Sequence, residues 1–326
     1  MKGLRYLIPV ALLGVLAIVL ILSSPFGDEP SEVRIGYIPF SADLPLFVAL
    51  EQKYFEEEGV PIKAIRFSEG SEATTALLAG QVDFIAPIAY SVQWPIIQQE
   101  PKALRMFIPE FETDQTIMSA VLVKKNSDIQ RIADLRGKKI GTYTGIPQLL
   151  YLKLFLKSIG LEPDKDITIV QVGTTLQIPS LEAGQFDALF TVDPFVTIAK
   201  EKIGARVLVE NPRSKYILNP FPMGAALVSS DFIAKHPEVV GKVYRAMAKA
   251  VDFIKANPDA SKDTLPKYTP MDPEIAKKSN IYEAFKMDDD VDMTVIQKLA
   301  DIMVENKLLD RKLDTEKIFL TEAEIK

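Results

Sequence analysis

A match between two segments 104 residues apart is the strongest constraint on how this 326-residue chain can fold. The segments are 77–83 (LLAGQVD) and 181–187 (LEAGQFD), and five of their seven residues are identical. In both, apolar residues at helical spacing stop at a glycine, a common helix end, and a short β-rich run follows. The same order of strand, helix, glycine and strand surrounds each segment. The repeat therefore predicts two α/β units of similar plan.

Strands and helices alternate in each unit. In the first unit, strands are predicted at 33–38, 62–67, 82–88 and 104–108, and helices at 46–55 and 72–78. The pattern restarts after Asp134, with strands at 138–143, 167–172 and 188–192 and a helix at 148–159. Such alternation is typical of a parallel or mixed α/β sheet.

The pattern changes after Pro220, where a β-like run at 223–229 precedes a mainly helical tail. We predict that this tail packs on the first unit, so that the chain crosses between the units twice, near 119–123 and near 219–228. Two crossings let two lobes hinge around a cleft. The predicted organisation is a signal or anchor at 1–27, lobe I at 32–121 plus 221–326, and lobe II at 122–220.

The amino terminus carries Lys2 and Arg5 and then seventeen uncharged residues at 6–22. This segment is an export signal or a membrane anchor, and its leading positive charges predict a cytoplasmic amino terminus and an exported body. Seventeen residues are short for a bilayer span and slightly long for a signal-peptide core. Because Ile21 and Leu22 are too large for the −3 position of a cleavage site, we favour an uncleaved anchor. A removed signal peptide is the alternative.

Composition excludes several classes of chemistry. The chain has no cysteine and one histidine, His236, which rules out thiol nucleophiles, disulfides and cysteine-based zinc sites and disfavours a Ser–His–Asp relay. With 38 basic and 44 acidic residues the net charge is −6, so we expect no nucleic-acid partner. We also expect no cofactor and no metal.

Ligands of open α/β sheets lie beyond the carboxyl ends of the strands, where loops lead into helix starts. Reading those loops gives the candidate ligand-binding residues, which are Tyr37, Phe40, Ser41, Asp43, Ser68, Glu69, Gly70, Ser71, Tyr90, Ser91, Trp94, Tyr143, Thr144, Gly145, Gln148, Thr174, Thr175 and Asp193. The aromatic members could instead pack in the core. The acidic and hydroxyl members could instead cap helices or turns.

Several runs carry a family resemblance. IGY at 35–37, PLFVALEQKYFEEEGV at 45–60 and ALLAGQVD at 76–83 resemble the nitrate/sulfonate/taurine-binding group of ABC-transporter solute-binding proteins, which includes thiamine-pyrimidine binders. DLRGKKIG at 134–141, and DA at 187–188 followed by DPF at 193–195, are similar to the second-lobe motifs of that group. The resemblance covers nearly all of residues 33–320.

The resemblance implies a two-lobed α/β fold of the periplasmic-binding-protein type (type 2), with a hinge and an interlobe cleft. It also implies an exported protein, in the periplasm or on the outer face of the cytoplasmic membrane, that performs no catalysis. Such a protein delivers a small-molecule ligand to an ABC permease with an ATPase, both on other chains. We expect a monomer that contacts the membrane through its N-terminal segment.

The candidate loops point to the chemistry of the ligand. They contain no Lys or Arg, whereas Asp43, Glu69, Glu72 and Asp193 lie in or beside them. Pro147 lacks an N–H to donate to an anion. These features suit a taurine-like zwitterion, or an aminopyrimidine stacked between aromatic rings, better than nitrate. The chain departs from the group in two ways. It lacks the lipid-attachment cysteine, and it has Asp193 at a position where members of the group often have Glu.

We therefore predict a solute-binding component of an ABC importer that closes on an organic sulfonate or taurine-like solute, a nitrate-like solute or an aminopyrimidine. One alternative is a thiamine-pyrimidine synthesis-type enzyme on the same fold. The related yeast-type proteins rely on histidine and a Cys-rich motif, and this chain has one His and no Cys. Another alternative is a ligand-sensing ectodomain, although only about five residues precede the apolar run.

Overall fold

The computed structural model describes residues 30–114, 118–279, 285, 292–321 and 324. The strands are β1 (Val33–Tyr37), β2 (Ile62–Arg66), β3 (Phe84–Ala89), β4 (Leu104–Glu112), β5 (Ser119–Val123), β6 (Lys139–Tyr143), β7 (Thr168–Val172), β8 (Ala188–Val192), β9 (Arg206–Glu210) and β10 (Phe221–Ser229). The helices are α1 (Leu44–Glu51), α2 (Tyr54–Glu57), α3 (Gly70–Leu78), α4 (Tyr90–Gln99), α5 (Ile146–Ser158), α6 (Gln177–Glu182), α7 (Phe195–Ile203), α8 (Pro212–Tyr216), α9 (Ser230–Lys235), α10 (Pro237–Ala256), α11 (Pro258–Lys262), α12 (Leu265–Tyr268), α13 (Pro273–Ala276) and α14 (Met293–Glu305).

Two five-stranded sheets have the same plan. Their strand orders are β2-β1-β3-β10-β4 and β7-β6-β8-β5-β9. The first three strands of each order are parallel, and the fourth runs antiparallel to both of its neighbours. The predicted α/β architecture is confirmed. Below, lobe I means the first sheet with the helices packed on it, and lobe II means the second sheet with its helices.

The repeated segment explains the shared plan. In each copy a helix ends and the chain turns through a glycine with positive φ, +67° at Gly80 and +72° at Gly184. The next strand, β3 or β8, then takes the third place in its sheet. Glycine suits these turns because it adopts positive φ without a steric penalty.

The chain passes between the sheets twice, once between β4 and β5 and once between β9 and β10. Residues 119–123, which the sequence pattern suggested as a crossing, form β5 and pair with β8 and β9. The crossing comes just before them. The predicted lobe boundaries remain a prediction.

The long helix α10 packs on α1 and α2 of lobe I. Its twenty residues lie in the segment that was predicted to be mainly helical. It buries one apolar face that includes Val243, Met247 and Val251, while its other face stays polar. This packing places α10 on lobe I.

Residues 90–99 differ from expectation, because they form α4 rather than a ligand loop. Pro95 lies inside this helix, and proline normally disfavours a helix interior. Burial of Tyr90, Trp94 and Ile97 stabilises the helix against that local preference. β9 also went unpredicted, since its five residues carry little alternation.

The apolar segment at 6–22 lies outside the described residues. Within the part of the chain that the structure describes, no helix combines the length and the apolar character needed to span a bilayer.

Candidate functional site

A cavity of about 560 Å³ lies where the carboxyl edges of the two sheets face each other. Lobe I contributes the loops after β1 and β2, the start of α4, and Glu110 of β4. Lobe II contributes the loops after β6, β7 and β8. The crossing segments contribute Met118 and Arg213, and β10 of lobe I contributes Met223. This is the position expected for a ligand site in open α/β sheets, and the volume suits a small organic molecule.

Eleven of the predicted ligand residues line this cavity. They are Phe40, Ser68, Glu69, Gly70, Ser71, Ser91, Tyr143, Thr144, Gly145, Thr174 and Asp193. The rule that ligands lie beyond strand ends therefore brings most of the candidate residues together. Apart from these, the walls are mainly apolar and include Ile38, Ile88 and Val192.

The other seven predicted residues do not line the cavity. Tyr90 and Trp94 are fully buried and stack on each other, with ring centroids 4.5 Å apart. Tyr37 packs on Phe47, and Gln148 is 1% exposed. The remaining three are the buried Ser41 and Asp43 and the exposed Thr175.

Asp193 joins the two lobes. It directly follows β8 of lobe II, and its Oδ2 atom accepts hydrogen bonds from Ser41 Oγ of lobe I at 3.3 Å and from Ser279 Oγ of the C-terminal tail at 2.9 Å. Its Oδ1 atom accepts from the backbone N–H and the hydroxyl of Thr197. Burial raises the pKa of Asp193, and the hydrogen bonds from Thr197, Ser279 and Ser41 oppose that rise. Other interlobe contacts include the hydrogen bond from Tyr151 Oη to Ser91 Oγ at 3.2 Å.

Glu110 is not among the predicted residues. The predicted strand 104–108 extends to Glu112 in the structure, so Glu110 lies on β4 rather than in a loop after it. β-Bulges at Ile108 of β4 and at Met223 of β10 flank it, and bulges of this kind re-aim side chains beside functional sites. Its side chain is 2% exposed, and its Oε1 atom has no hydrogen-bond partner in the described part of the chain. Burial and then the charge of Asp43 raise the pKa of Glu110 well above its usual value, whereas Arg213 lowers it.

Asp43 is a second buried carboxyl close to the cavity. Its Oδ2 atom accepts a hydrogen bond from the backbone N–H of Ile38 at 2.9 Å, and its Oδ1 atom has no partner among the described residues. Burial raises the pKa of Asp43 well above its usual value. The charge of Asp43 also raises the pKa of Glu110, because the two carboxylates repel each other when both are ionised.

Arg213 brings a basic side chain to the cavity, although the predicted ligand loops contain no Lys or Arg. It lies in α8, after the end of β9, and lines the cavity. Its guanidinium donates two hydrogen bonds to Oε2 of the fully buried Glu112, at 2.6 and 3.2 Å. Because the pair is buried and mutually neutralising, Arg213 adds no net positive charge to the cavity. Glu112 ends β4, and Arg213 follows the unpredicted strand β9, so neither residue is among the predicted ligand residues.

Aromatic rings from both lobes meet at the cavity. Phe40 of lobe I lies 5.9 Å from Tyr143 of lobe II and 6.1 Å from Phe195, between ring centroids. Burial raises the pKa of Tyr143 to about 12, so its phenol stays protonated and can donate a hydrogen bond.

The helix start of α3 is already occupied by acidic side chains. The Glu72 carboxylate accepts a hydrogen bond from the backbone N–H of Ser68, and Glu69 stands at the N-cap position. A carboxylate beside a helix N-terminus competes with an anionic ligand for the positive end of the helix dipole. This helix start is therefore better placed to hold a hydrogen-bonding or cationic solute than a simple anion.

A larger depression of about 980 Å³ lies at the opposite edge of the first sheet. Its charged pair, Arg34 and Asp83, is already satisfied by three mutual hydrogen bonds. His236 lines this depression, not the interlobe cavity. We assign the site to the smaller cavity because side chains of both lobes line it, and because it contains the unpaired buried carboxyl oxygen of Glu110.

Comparison with known proteins gives a consistent picture. The model of the NMT1-like family matches residues 27–266. A Bacillus subtilis (strain 168) protein named "Putative aliphatic sulfonates-binding protein" is 27% identical over 300 residues, which cover 90% of this chain and 87% of that protein. A 4-amino-5-hydroxymethyl-2-methylpyrimidine phosphate synthase of Saccharomyces cerevisiae is 23% identical over 235 residues, 69% of this chain and 66% of the yeast protein.

Among solved structures, the periplasmic aliphatic sulphonate-binding protein SsuA from Escherichia coli superimposes with a TM-score of 0.72. The match covers 91% of this chain and 100% of SsuA, at 20% identity. At that identity the similarity establishes the fold, which is that of the periplasmic binding proteins.

Proposed function

The chain belongs to the NMT1-like family, and from that premise we propose that it is the extracytoplasmic solute-binding component of an ABC importer. The observation that carries this proposal is the single cavity to which both lobes contribute side chains. A solute that contacts both lobes stabilises the closed arrangement relative to an open one, and a permease can recognise the closed form. The permease and ATPase would be separate chains.

The ligand classes we propose are organic sulfonates or taurine-like solutes, nitrate-like solutes and aminopyrimidines. The apolar walls and the rings of Phe40 and Tyr143 support an organic solute over nitrate. The name of the Bacillus subtilis relative supports sulfonates, and that of the yeast relative supports pyrimidines.

We also propose that the protein is exported, with its body in the periplasm or at the outer face of the cytoplasmic membrane. The charged start and apolar run of residues 1–27 support export, as an anchor or as a removed signal peptide.

The test is thermal unfolding of the full chain, purified in detergent, with taurine, ethanesulfonate, nitrate and aminopyrimidine. A ligand at a hundred times its dissociation constant adds about 2.7 kcal/mol to the free energy of unfolding, which raises the melting temperature. X-ray scattering should show no increase in the radius of gyration on binding. If none of the four compounds raised the melting temperature, the proposed ligand classes would be wrong.

An enzyme of pyrimidine synthesis is the second candidate, because of the yeast relative. Its chemistry would have to proceed without the histidine, since His236 lines the depression at the opposite sheet edge. Conversion of any added compound, followed by mass spectrometry, would favour this candidate over transport.

A further inference from the structure

Among the described residues, Glu110 is the charged side chain lining the cavity that keeps a buried oxygen atom without a hydrogen-bond partner. It is 2% exposed, and its Oε1 atom has no hydrogen-bond partner in the described ranges. A buried carboxyl without partners costs free energy, and native proteins rarely retain such a group. Two other buried carboxylates beside the cavity are better satisfied, since Asp193 accepts four hydrogen bonds and Glu112 pairs with Arg213.

The charges around Glu110 do not supply the missing partner. The nearby carboxyl of Asp43 repels it, and the nearby guanidinium of Arg213 donates to Glu112 instead. Three carboxyl groups, those of Glu69, Glu110 and Asp193, line the cavity together with the neutralised Arg213. The described lining is therefore acidic, and it favours a positively charged or N–H-donating solute over an anion.

Resting on the proposed solute-binding function, we propose that Glu110 is the residue that selects the solute, and that the solute carries a nitrogen group. That group is a primary amine, an amidinium or an amino-substituted heterocycle, and it donates its N–H to Glu110. The two β-bulges that flank Glu110 turn its strand toward the cavity. The rest of the solute contacts apolar walls and the rings of Phe40 and Tyr143.

The experiment measures binding of matched pairs of compounds that differ in one nitrogen group. The pairs are taurine and ethanesulfonate, aminopyrimidine and pyrimidine, and benzylamine and benzyl alcohol. Each is titrated by calorimetry and thermal shift against the wild-type chain, Glu110→Gln and the charge-matched control Glu182→Gln. Glu182 is exposed at the end of α6, outside the cavity.

We expect the nitrogen-bearing member of at least one pair to bind the wild type at least tenfold more tightly than its partner. Glu110→Gln should weaken that binding by about 10- to 100-fold, the range for a lost charge-assisted hydrogen bond, whereas Glu182→Gln should not change it. Binding of both members of a pair with equal affinity, unaltered in Glu110→Gln, would overturn this inference and leave the solute-binding function standing.

The ligand-free proteins give a second readout. If Glu110 is kept for a ligand, Glu110→Gln should melt at or above the wild-type temperature at pH 8, because the substitution removes an uncompensated buried charge. A clear fall in melting temperature would assign Glu110 a structural role and overturn the inference. If no compound binds the wild type, the proposed ligand classes fail, and this comparison still decides the role of Glu110.

Discussion

The Oδ2 atom of Asp193 in lobe II accepts a hydrogen bond from Ser41 Oγ in lobe I at 3.3 Å. The same oxygen accepts from Ser279 in the C-terminal tail. One buried carboxylate therefore joins both lobes and the tail beside the cavity. The contact between the lobes therefore includes an acceptor that the protein itself supplies.

Asp193→Asn should destabilise the protein by about 1–3 kcal/mol, because the amide nitrogen faces hydroxyl donors that need an acceptor. Urea unfolding measures the loss, and X-ray scattering should show a larger radius of gyration if the lobes separate. Ser279→Ala removes a single donor and should cost about 1 kcal/mol. An unchanged unfolding midpoint in Asp193→Asn would contradict the assigned role.

Glu112→Gln should cost about 3–5 kcal/mol, because it leaves the buried guanidinium of Arg213 without its counter-charge. Arg213→Met should cost a similar amount. The double variant should lose much less than the sum of the two single losses, since it removes both charges together. Urea unfolding of the four proteins measures this coupling, and additive losses would show that the pair does not act as a unit.

Sequence reasoning succeeded where a local rule applies. Parallel strands carry apolar runs, and ligand loops follow their carboxyl ends, so the positions of Phe40, Tyr143 and Asp193 followed from the strand pattern. The glycine turns at Gly80 and Gly184 located the strands that occupy the third place of each sheet.

The remaining site residues depend on long-range pairing. Glu110 reaches the cavity because β4 pairs with β10 across two bulges, and β10 is more than a hundred residues away in the chain. Arg213 reaches the cavity because the chain after β9 lies beside the chain at the end of β4, where hydrogen bonds join Arg213 to Glu112 and Asn211 to Thr113. Shifts in strand register and crossings between lobes leave no local pattern in the sequence. The places of Glu110 and Arg213 in the cavity lining therefore could not be predicted.

Asp43→Asn should become progressively more stable than the wild type as the pH rises from about 4 to 8. Burial raises the pKa of Asp43 in the folded state, so the stability linked to its protonated form is present below the unfolded pKa, about 3.9, and is lost as the pH rises. Glu110 lies near this carboxyl, and its negative charge should amplify the effect where it is ionised. Urea unfolding at several pH values measures the difference.

The control for this pH dependence is Asp166, a carboxyl whose pKa is lowered rather than raised in the folded state. The backbone N–H of Glu162 donates to Asp166 and lowers its pKa, so that carboxylate contributes stability above its unfolded pKa and loses it as the pH falls. Asp166→Asn should therefore lose stability relative to the wild type as the pH rises. Parallel pH profiles for both variants would refute the assignment of opposite shifts.

Gly224→Ala should destabilise the protein by about 3 kcal/mol, the upper range for forcing an atom into a packed interior. Gly224 pairs with Glu110 on one side and with Ala89 on the other. A Cβ atom there would lie 2.1 Å from the carbonyl oxygen of Ile88, a backbone atom that cannot rotate away. The strands beneath the cavity would have to separate, so binding should weaken along with stability.

The matched control is Gly173→Ala in the loop after β7. The nearest atom to an added Cβ is Leu176 Cδ1 at 4.0 Å, and φ is −57°, which alanine adopts readily. The free energy of unfolding of this variant should lie within about 0.5 kcal/mol of the wild-type value or slightly above it, because alanine restricts the unfolded chain. Urea unfolding of both variants separates the two cases. Equal midpoints would mean that β3 and β10 are not held as closely as the structure places them, and the position of Glu110 between its two bulges would then need revision.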